Sequence, residues 1–331
     1  MSRILVTGGA GYVGSVCAEE LLRQGHEVSI VDNLSTGHRH AVPEGAVFHQ
    51  IDIGDAASIR EVLALKTYDA VFHFAAKALV PESITNPAAF YQVNVVAAAA
   101  MMDVIREAGI KRFIFSSTAA VYGNPIEVPI TEDHPKAPVN AYGETKLSFE
   151  RLLAWYANAY GISVCAFRYF SAAGATTERG EEHEPETHVL PLLFEAALGE
   201  RDFFSIYGIN YPTPDGSCIR DFVHVLDIAQ AHILALKMME KPGFSVYNIG
   251  LGKSYSVREM HSCAERVLGR KIPLREGDPR PGDPAVLCAS PQRLMVELGW
   301  SPQHSDLTNI LETAWAWKQK CRARARQERE K

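Results

Sequence analysis

Residues 3–24 restrict the fold more than any other stretch of this chain. Ile4-Leu5-Val6 is a short apolar run with the look of a buried strand. It breaks into a turn with glycines at Gly8, Gly11 and Gly14, and Val16, Ala18, Leu21 and Leu22 then recur at helical spacing. In a strand–turn–helix of this kind one glycine makes the tight turn, one lets backbone approach a pyrophosphate, and one lets the helix pack on the strand. The phosphates rest on the unpaired N–H groups at the helix N-terminus, where the dipole favours negative charge. A second apolar strand, Glu27 to Val31, ends in Asp32, 21 residues past Gly11. At that distance a carboxylate meets the adenosine ribose hydroxyls, and it would repel a 2′-phosphate, so the motif predicts NAD rather than NADP.

The bulk properties exclude several classes of protein. A chain of 331 residues can bury a large core, and 47% hydrophobic with 22% charged residues is ordinary for a globular protein. The net charge of −6 gives no footprint for nucleic acid or an anionic membrane surface. No run approaches the ~20 consecutive apolar residues of a membrane span, and the N-terminus enters the first strand too soon for a signal peptide. The six cysteines (Cys17, Cys165, Cys218, Cys263, Cys288 and Cys321) form no C-x-x-C pair and no cluster with histidines at ligand spacing. They are expected to be reduced thiols of a cytoplasmic protein, and no metal site is expected.

From residue 1 to about 170 strand and helix patterns alternate, which predicts parallel βαβ units. Strands are expected at 3–7, 27–32, 46–51, 69–74, 111–117 and 162–169, and helices at 12–24, 55–65, 87–108 and 141–160. Ala70-Val71-Phe72-His73-Phe74 is apolar on both faces, as a strand covered by helices on both sides requires. Ligands bind such sheets beyond the carboxyl ends of the strands. Past residue 170 the texture changes. Residues 174–188 read as an exposed, charged loop, and Pro-punctuated segments alternate with helices near 189–199, 224–240, 256–268 and 305–325. The tail 321–331 reads as a solvated helix end. The implied fold class is α/β, a doubly wound parallel Rossmann-type sheet over residues 1–170. A smaller mixed α/β substrate-binding lobe follows over 171–331, with some segments returning to the first domain.

Tyr142-Gly143-Glu144-Thr145-Lys146 opens an amphipathic helix, and the four-residue spacing puts phenol and ammonium on one face, a turn apart. A neighbouring cation favours phenolate, so Tyr142 is expected to titrate below its ordinary value. Phe113-Ile114-Phe115-Ser116-Ser117-Thr118 places hydroxyls where a parallel strand ends above the cofactor. Together they suit a proton-and-hydride site: Tyr142 handles an alcohol proton, Lys146 lowers its pKa, and Thr118 or Ser116 orients it.

With TGGAGYVG, FSSTAAVYG, YGETK, RYFSAAGA and IRDFVHVLDIA in hand, the chain resembles the extended short-chain dehydrogenase/reductase family. Within it the resemblance is to the UDP-hexose 4-epimerases, over about residues 3 to 318. The resemblance implies catalytic roles for Thr118, Tyr142 and Lys146, with Ser116 close by. It implies NAD contacts from Gly8, Gly11, Tyr12, Val13, Gly14, Asp32, Asn33, Leu34, Ser35, Thr36, Gly37, Asp52, Ile53, Phe74, Ala75, Ala76, Lys77, Asn94, Ser116, Tyr142, Lys146 and Phe170. It implies that Thr118, Tyr142, Ser171, His188, Val189, Ser205, Ile206, Tyr207, Arg220, Arg280 and Asp283 hold the UDP-sugar, in a homodimer that docks through helices 87–108 and 141–160. Physical chemistry agrees at the nucleotide end: arginines suit a diphosphate, an aspartate suits ribose hydroxyls, and a tyrosine can stack on uracil.

Two positions depart from the family pattern. Ser171 stands where the family usually has asparagine, and Lys77 stands one place before the position where some relatives carry lysine, here Ala78. The family's dehydratases add an acidic pair directly after the threonine, whereas Thr118 is followed by Ala119-Ala120. The expected reaction is therefore NAD-dependent 4-epimerisation of a UDP-hexose by transient oxidation at C4. Pro284 to Cys288 carries no bulky aromatic, which leaves room for N-acetylated hexoses. The alternatives are a UDP-uronate or UDP-pentose 4-epimerase, or a non-catalytic NAD-binding sensor.

Overall fold

The structure, a computed structural model, describes residues 1–280 and 283–329. Pro281 and Gly282 of the Arg280–Asp283 motif and the last two tail residues, Glu330 and Lys331, lie outside the described residues. The first half runs β1 (Arg3–Thr7), α1 (Tyr12–Arg23), β2 (Glu27–Asp32), β3 (Val47–Gln50), α2 (Ala56–Leu65), β4 (Ala70–His73), α3 (Val80–Thr85), α4 (Pro87–Tyr91), a π-helical stretch Gln92–Ala97, α5 (Ala98–Glu107), β5 (Arg112–Thr118), α6 (Ala141–Tyr160) and β6 (Ser163–Tyr169). The second half runs β7 (Ser171–Ala173), α7 (Val189–Leu198), β8 (Phe204–Tyr207), β9 (Ile219–Arg220), β10 (Phe222–His224), α8 (Val225–Met238), β11 (Gly243–Ile249), β12 (Tyr255–Ser256), α9 (Val257–Leu268), β13 (Leu274–Gly277), β14 (Val286–Leu287), α10 (Gln292–Leu298) and α11 (Leu307–Arg329).

Seven strands form one parallel sheet in the order β11-β6-β5-β4-β1-β2-β3. The chain reverses its direction of travel across the sheet between β1 and β4, so the crevice of a doubly wound sheet opens beyond the carboxyl ends of these strands. β1, β2, β4, β5 and β6 are buried nearly throughout, as a sheet covered on both faces demands. One apolar layer joins α1, α8 and one face of the sheet, and a second joins α2, α5 and α6 with the other. The seventh strand, β11, comes from beyond residue 170 and pairs with β6 along its whole length. α8 likewise packs on the first-half helix α1.

The helix expected at 87–108 forms, but with a π-helical stretch through Asn94, and a further short helix, α3, precedes it. Residues 87–107 are long and apolar enough, by length and composition, to cross a membrane, with mean hydropathy 1.5. Of that window 44% is buried inside the protein, where α5 contacts α2 and α6. Residues 174–188 are not the solvated loop that their composition suggests. Arg179 is buried and donates to Ala41 O (3.0 Å) and pairs with Glu19, and Glu182 is held by His40 and Arg324. Charges that read as solvated are paired here with charged partners 142 to 160 residues away. α11 continues into the tail for the same reason, with Arg324 paired to Glu182 and Arg322 to Glu200.

Candidate active site

The glycine turn works by exclusion. Gly8 has φ +76°, and a Cβ there would lie 2.4 Å from Ala75 N; one on Gly14 would lie 2.2 Å from Gly8 O. Neither position can take a side chain while the turn keeps its shape. At Gly11, the N-cap of α1, a Cβ would meet only Gly8 O at 3.5 Å, so the space before the helix N-terminus stays open. That is a cradle for an anion. At the end of β2 the Asp32 carboxylate accepts from Ala10 N (3.0 Å) and Leu34 N (2.8 Å). Burial lifts its pKa, and those two amides oppose the lift. Leu34 takes φ +60°, unusual for a residue with a Cβ, to place that amide. Asn33 donates to Asp52 (2.6 Å) and ties the loop after β2 to the loop after β3. These donors and acceptors fit the adenosine and pyrophosphate of NAD.

The hydroxyl, phenol and ammonium of the expected trio are gathered near the carboxyl end of β5. Asn140 caps α6 by accepting from Gly143 N (2.9 Å). Gly143 itself is required because a Cβ would lie 2.5 Å from Ala120 O; its absence lets the first turn of α6 press against the turn after Thr118. Thr118, buried, anchors that turn by accepting from Ala120 N (3.1 Å). Ser116, Thr118, Tyr142 and Lys146 all line one cleft of about 2080 Å³.

Two electrostatic details differ from the sequence-based expectation. Lys146 turns its ammonium to the Ser116 carbonyl (2.8 Å), over the face of Phe115 (4.9 Å). Burial pulls it down to about 7, with the Glu150 carboxylate opposing. Tyr142 is raised above its ordinary value by burial rather than lowered by Lys146, and the Thr118 hydroxyl is the group that pulls it back. Ser116 thus contributes its carbonyl to holding Lys146.

Beneath the trio lies a buried network that sequence reasoning did not find. Arg168 donates to both oxygens of Glu150 (3.0 and 2.6 Å), to the Tyr122 hydroxyl (2.9 Å) and to Glu132 O (3.1 Å), while Ser117 donates to Glu150. It rivets β5, α6 and β6 together under the site. Asn94, expected among the NAD contacts, is also buried. It does not reach the cleft; it accepts from Lys77 N (2.8 Å) and donates to Lys77 O (3.0 Å) and Thr145 Oγ1 (3.1 Å). The π-helical stretch that carries it aims its amide at both the Lys77 loop and α6.

Of the other expected residues, Tyr12, Val13, Ser35, Thr36, Gly37, Ile53, Phe74, Ala75, Ala76 and Phe170 line the same cleft. So do Ser171, His188, Val189, Ser205, Tyr207, Arg220, Arg280 and Asp283. Lys77 lines it too, but its ammonium pairs with Glu82 (2.7 Å). Leu34 and Ile206 do not line it. Ile206 is fully buried in the smaller lobe, because alternation along β8 points it opposite to Ser205 and Tyr207. Tyr12 donates to Gly174 O (2.6 Å), joining the start of α1 to the second half.

At the far end of the cleft Arg220 pairs with Asp283, and the Arg280 guanidinium lies 4.0 Å over the Tyr207 ring. His188 adds a third cation. Burial alone would pull it down, but its hydrogen bond to Glu186 (2.8 Å) and the Glu181 charge raise it to about 9. Asn140, Gly174 and Phe204 also line the cleft. Their positions carry no local sequence signal.

A dinucleotide cradle, a hydroxyl–tyrosine–lysine set at the end of β5 and a cationic far end in one cleft define an NAD-dependent enzyme acting on an anionic substrate. The family model described as the NAD dependent epimerase/dehydratase family matches residues 4–250, and the chain belongs to that family. It is 46% identical over 315 residues, 95% of each chain, to the UDP-glucose 4-epimerase of Corynebacterium glutamicum. Among solved structures, the UDP-glucose 4-epimerase from Brucella ovis in complex with NAD is 42% identical, with TM-score 0.92 over 96% of this chain and 98% of that one. The enzyme from Bifidobacterium longum in complex with NAD+ and UDP is 32% identical, with TM-score 0.92 over the same shares.

Proposed function

We propose that this chain is an isomerase that interconverts UDP-glucose and UDP-galactose at C4, with NAD as a retained cofactor. The convergence of Thr118, Tyr142 and Lys146 opposite the Arg220 and Arg280 end of one cleft carries this reading. NAD, held by the Gly8–Gly14 turn and Asp32, supplies reversible hydride acceptance when bound. Tyr142 takes the O4 proton as C4 is oxidised, with the Thr118 hydroxyl pulling its pKa down against burial. Lys146, one helical turn away, favours the anionic phase of that exchange when it carries its proton. Arg220, Arg280 and His188 hold the diphosphate while the 4-keto sugar turns about its bond to it and presents its other face. Tyr142 then returns the proton, and C4 is inverted. Ala119-Ala120 after Thr118 lacks the acid and base that dehydration needs.

Pro284 and Leu287 bound the cleft without an aromatic ring, which supports turnover of UDP-GlcNAc and UDP-GalNAc as well. We place the enzyme in the cytoplasm as a homodimer. Its six cysteines are free thiols, and Tyr91, Val96, Trp155 and Tyr160 expose apolar surface on the two helical segments 87–107 and 141–160. The deciding experiment measures epimer formation by purified protein from UDP-galactose and UDP-GalNAc without added NAD. Product without added cofactor supports a retained, recycled NAD, and the rate ratio gives the sugar range. No product even with NAD supplied turns the reading to uronate or pentose nucleotides, and then to a sensor. Light scattering on a size-exclusion column tests the dimer, for which a monomeric mass is the contrary result.

A further inference from the structure

One cluster in the second half has, apart from the contact of His188 with the diphosphate, no role in the reaction just described. The segment between β7 and α7 carries Glu181, His183, Glu186 and His188 in alternation, each pair two residues apart. The structure folds the two pairs onto each other. Donor atoms of Glu181, His183 and His188 all lie within 4.8 Å of one another, with the two imidazole centroids 5.2 Å apart. His188 Nδ1 is 3.7 Å from one Glu181 oxygen, close to the ~3.4 Å edge of a tetrahedron with bonds of about 2.1 Å. Glu186 Oε1 lies 2.8 Å from the same nitrogen. The carboxylates are oriented by backbone: Glu181 accepts from His183 N (3.0 Å), and Glu186 accepts from Thr187 N (2.7 Å) and His188 N (2.6 Å). Outer contacts of this kind set ligand orientation at metal centres. All four residues line the large cleft, so an ion has a path in.

We propose that Glu181, His183 and His188, with Glu186 as fourth donor, form a binding site for one divalent transition-metal ion, Zn²⁺ by donor set. Two imidazoles and carboxylate oxygen in four-fold geometry suit zinc, whereas magnesium and calcium call for oxygen ligands alone. As ligands, two carboxylates and two neutral imidazoles would carry −2, which the ion would cancel. Binding displaces the proton that His188 Nδ1 shares with Glu186. The ion would join the two ends of a segment that already bridges the halves through His38 to Glu182 O (3.0 Å) on one side and Arg324 to Glu182 on the other. It would therefore rivet the wall between cofactor and substrate regions without entering the chemistry. Cysteine-based ligand spacing passes over this site because all four donors are His or Glu.

The test titrates Zn²⁺ into chelator-treated full-length protein by isothermal calorimetry, with parallel titrations of His183→Ala and Glu181→Gln. One equivalent is expected in the wild type, with each variant at least about tenfold weaker. Glu186→Gln, expected to weaken binding too, and far-UV circular dichroism of each variant guard against a variant that fails to fold. Co²⁺ in place of Zn²⁺ should give visible absorption of tetrahedral intensity in the wild type, and none in His183→Ala. A wild type that binds no stoichiometric ion overturns the proposal, leaving the cluster as two self-neutralised carboxylate–imidazole pairs. Equal binding in wild type and variants overturns it as well, by putting the ion elsewhere.

Discussion

Tyr142 and Lys146 share a helix face, yet their environments pull them apart. Lys146 spends its ammonium on the Ser116 carbonyl, while Tyr142, shut in by protein, leans on the Thr118 hydroxyl. Replacing Tyr142 by Phe removes the only phenol of the set and should cut kcat by about 10²–10⁴. KM for UDP-galactose and the melting temperature should stay near wild type; steady-state kinetics with a thermal melt checks this, and undiminished kcat would remove Tyr142 from the mechanism. The glycines make a second, sharper contrast. In Gly11→Ala the new methyl meets little protein, so the fold should lose less than about 1 kcal/mol while NAD retention drops. In Gly14→Ala the methyl runs into Gly8 O, so stability itself should fall. Cofactor content after purification and a denaturant melt separate the two cases, and an equal loss of stability in both would refute the distinction.

At the scale of elements, α6 is the part that aims the chemistry. Its start is set by the Asn140 cap, its approach by Gly143, and its depth by the Glu150–Arg168 network. Asn140→Ala should cost about 1 kcal/mol. Because Tyr142 and Lys146 ride the capped turns, kcat should fall with it, and Asn140→Asp, which keeps an acceptor, should restore both. Urea denaturation and turnover measured on the two variants check this. Asn94 plays the matching part for the opposite wall through the π-helical stretch. Of this arrangement the sequence announces only the pieces that act over a few residues: the four-residue spacing of Tyr142 and Lys146, and the helix bounds at 141–160. The Arg168–Glu150 contact crosses 18 residues and two elements, and nothing local marks it.

For the molecule as a whole, acid sensitivity follows from histidines buried as neutral rings. His73 hydrogen-bonds Thr7 (2.7 Å) among Phe113, Phe115 and Phe149. Burial lowers it to about 3. His232 joins Ile228 O and the Tyr169 hydroxyl, and burial lowers it and His224 to about 4. Between pH 6.5 and about 4 the unfolded chain binds protons at these positions and the folded one does not, so stability rises with pH across that window and is lost on acidification. Each such group contributes up to about 1.4 kcal/mol per pH unit there. Asp221, raised to about 6 by burial, works in the opposite direction, as do the buried carboxyls of Asp32 and Glu132, which burial also lifts. Melting temperatures at pH 7.5, 6 and 5 should fall steeply below 6, and His232→Gln should flatten the slope. A flat profile in the wild type would count against neutral buried histidines.

The sequence by itself determined the parallel α/β sheet, the glycine cradle with Asp32, the Thr118–Tyr142–Lys146 set and the family. The sheet, the cradle and the Tyr142–Lys146 pair rest on periodicity or spacing, where covalent geometry dictates which side chains share a face. The family, and the place of Thr118 beside that pair, rest on the resemblance of whole motifs such as FSSTAAVYG and YGETK. Tertiary structure decided the rest. It drew β11 and α8 back onto the first half, turned Ile206 and Asn94 away from the cleft, and set Tyr142 above its free pKa instead of below it. It also buried the ion pairs of residues 174–188. These outcomes depend on burial and on partners up to 160 residues distant, and desolvation is a property of the packed molecule that no local pattern encodes.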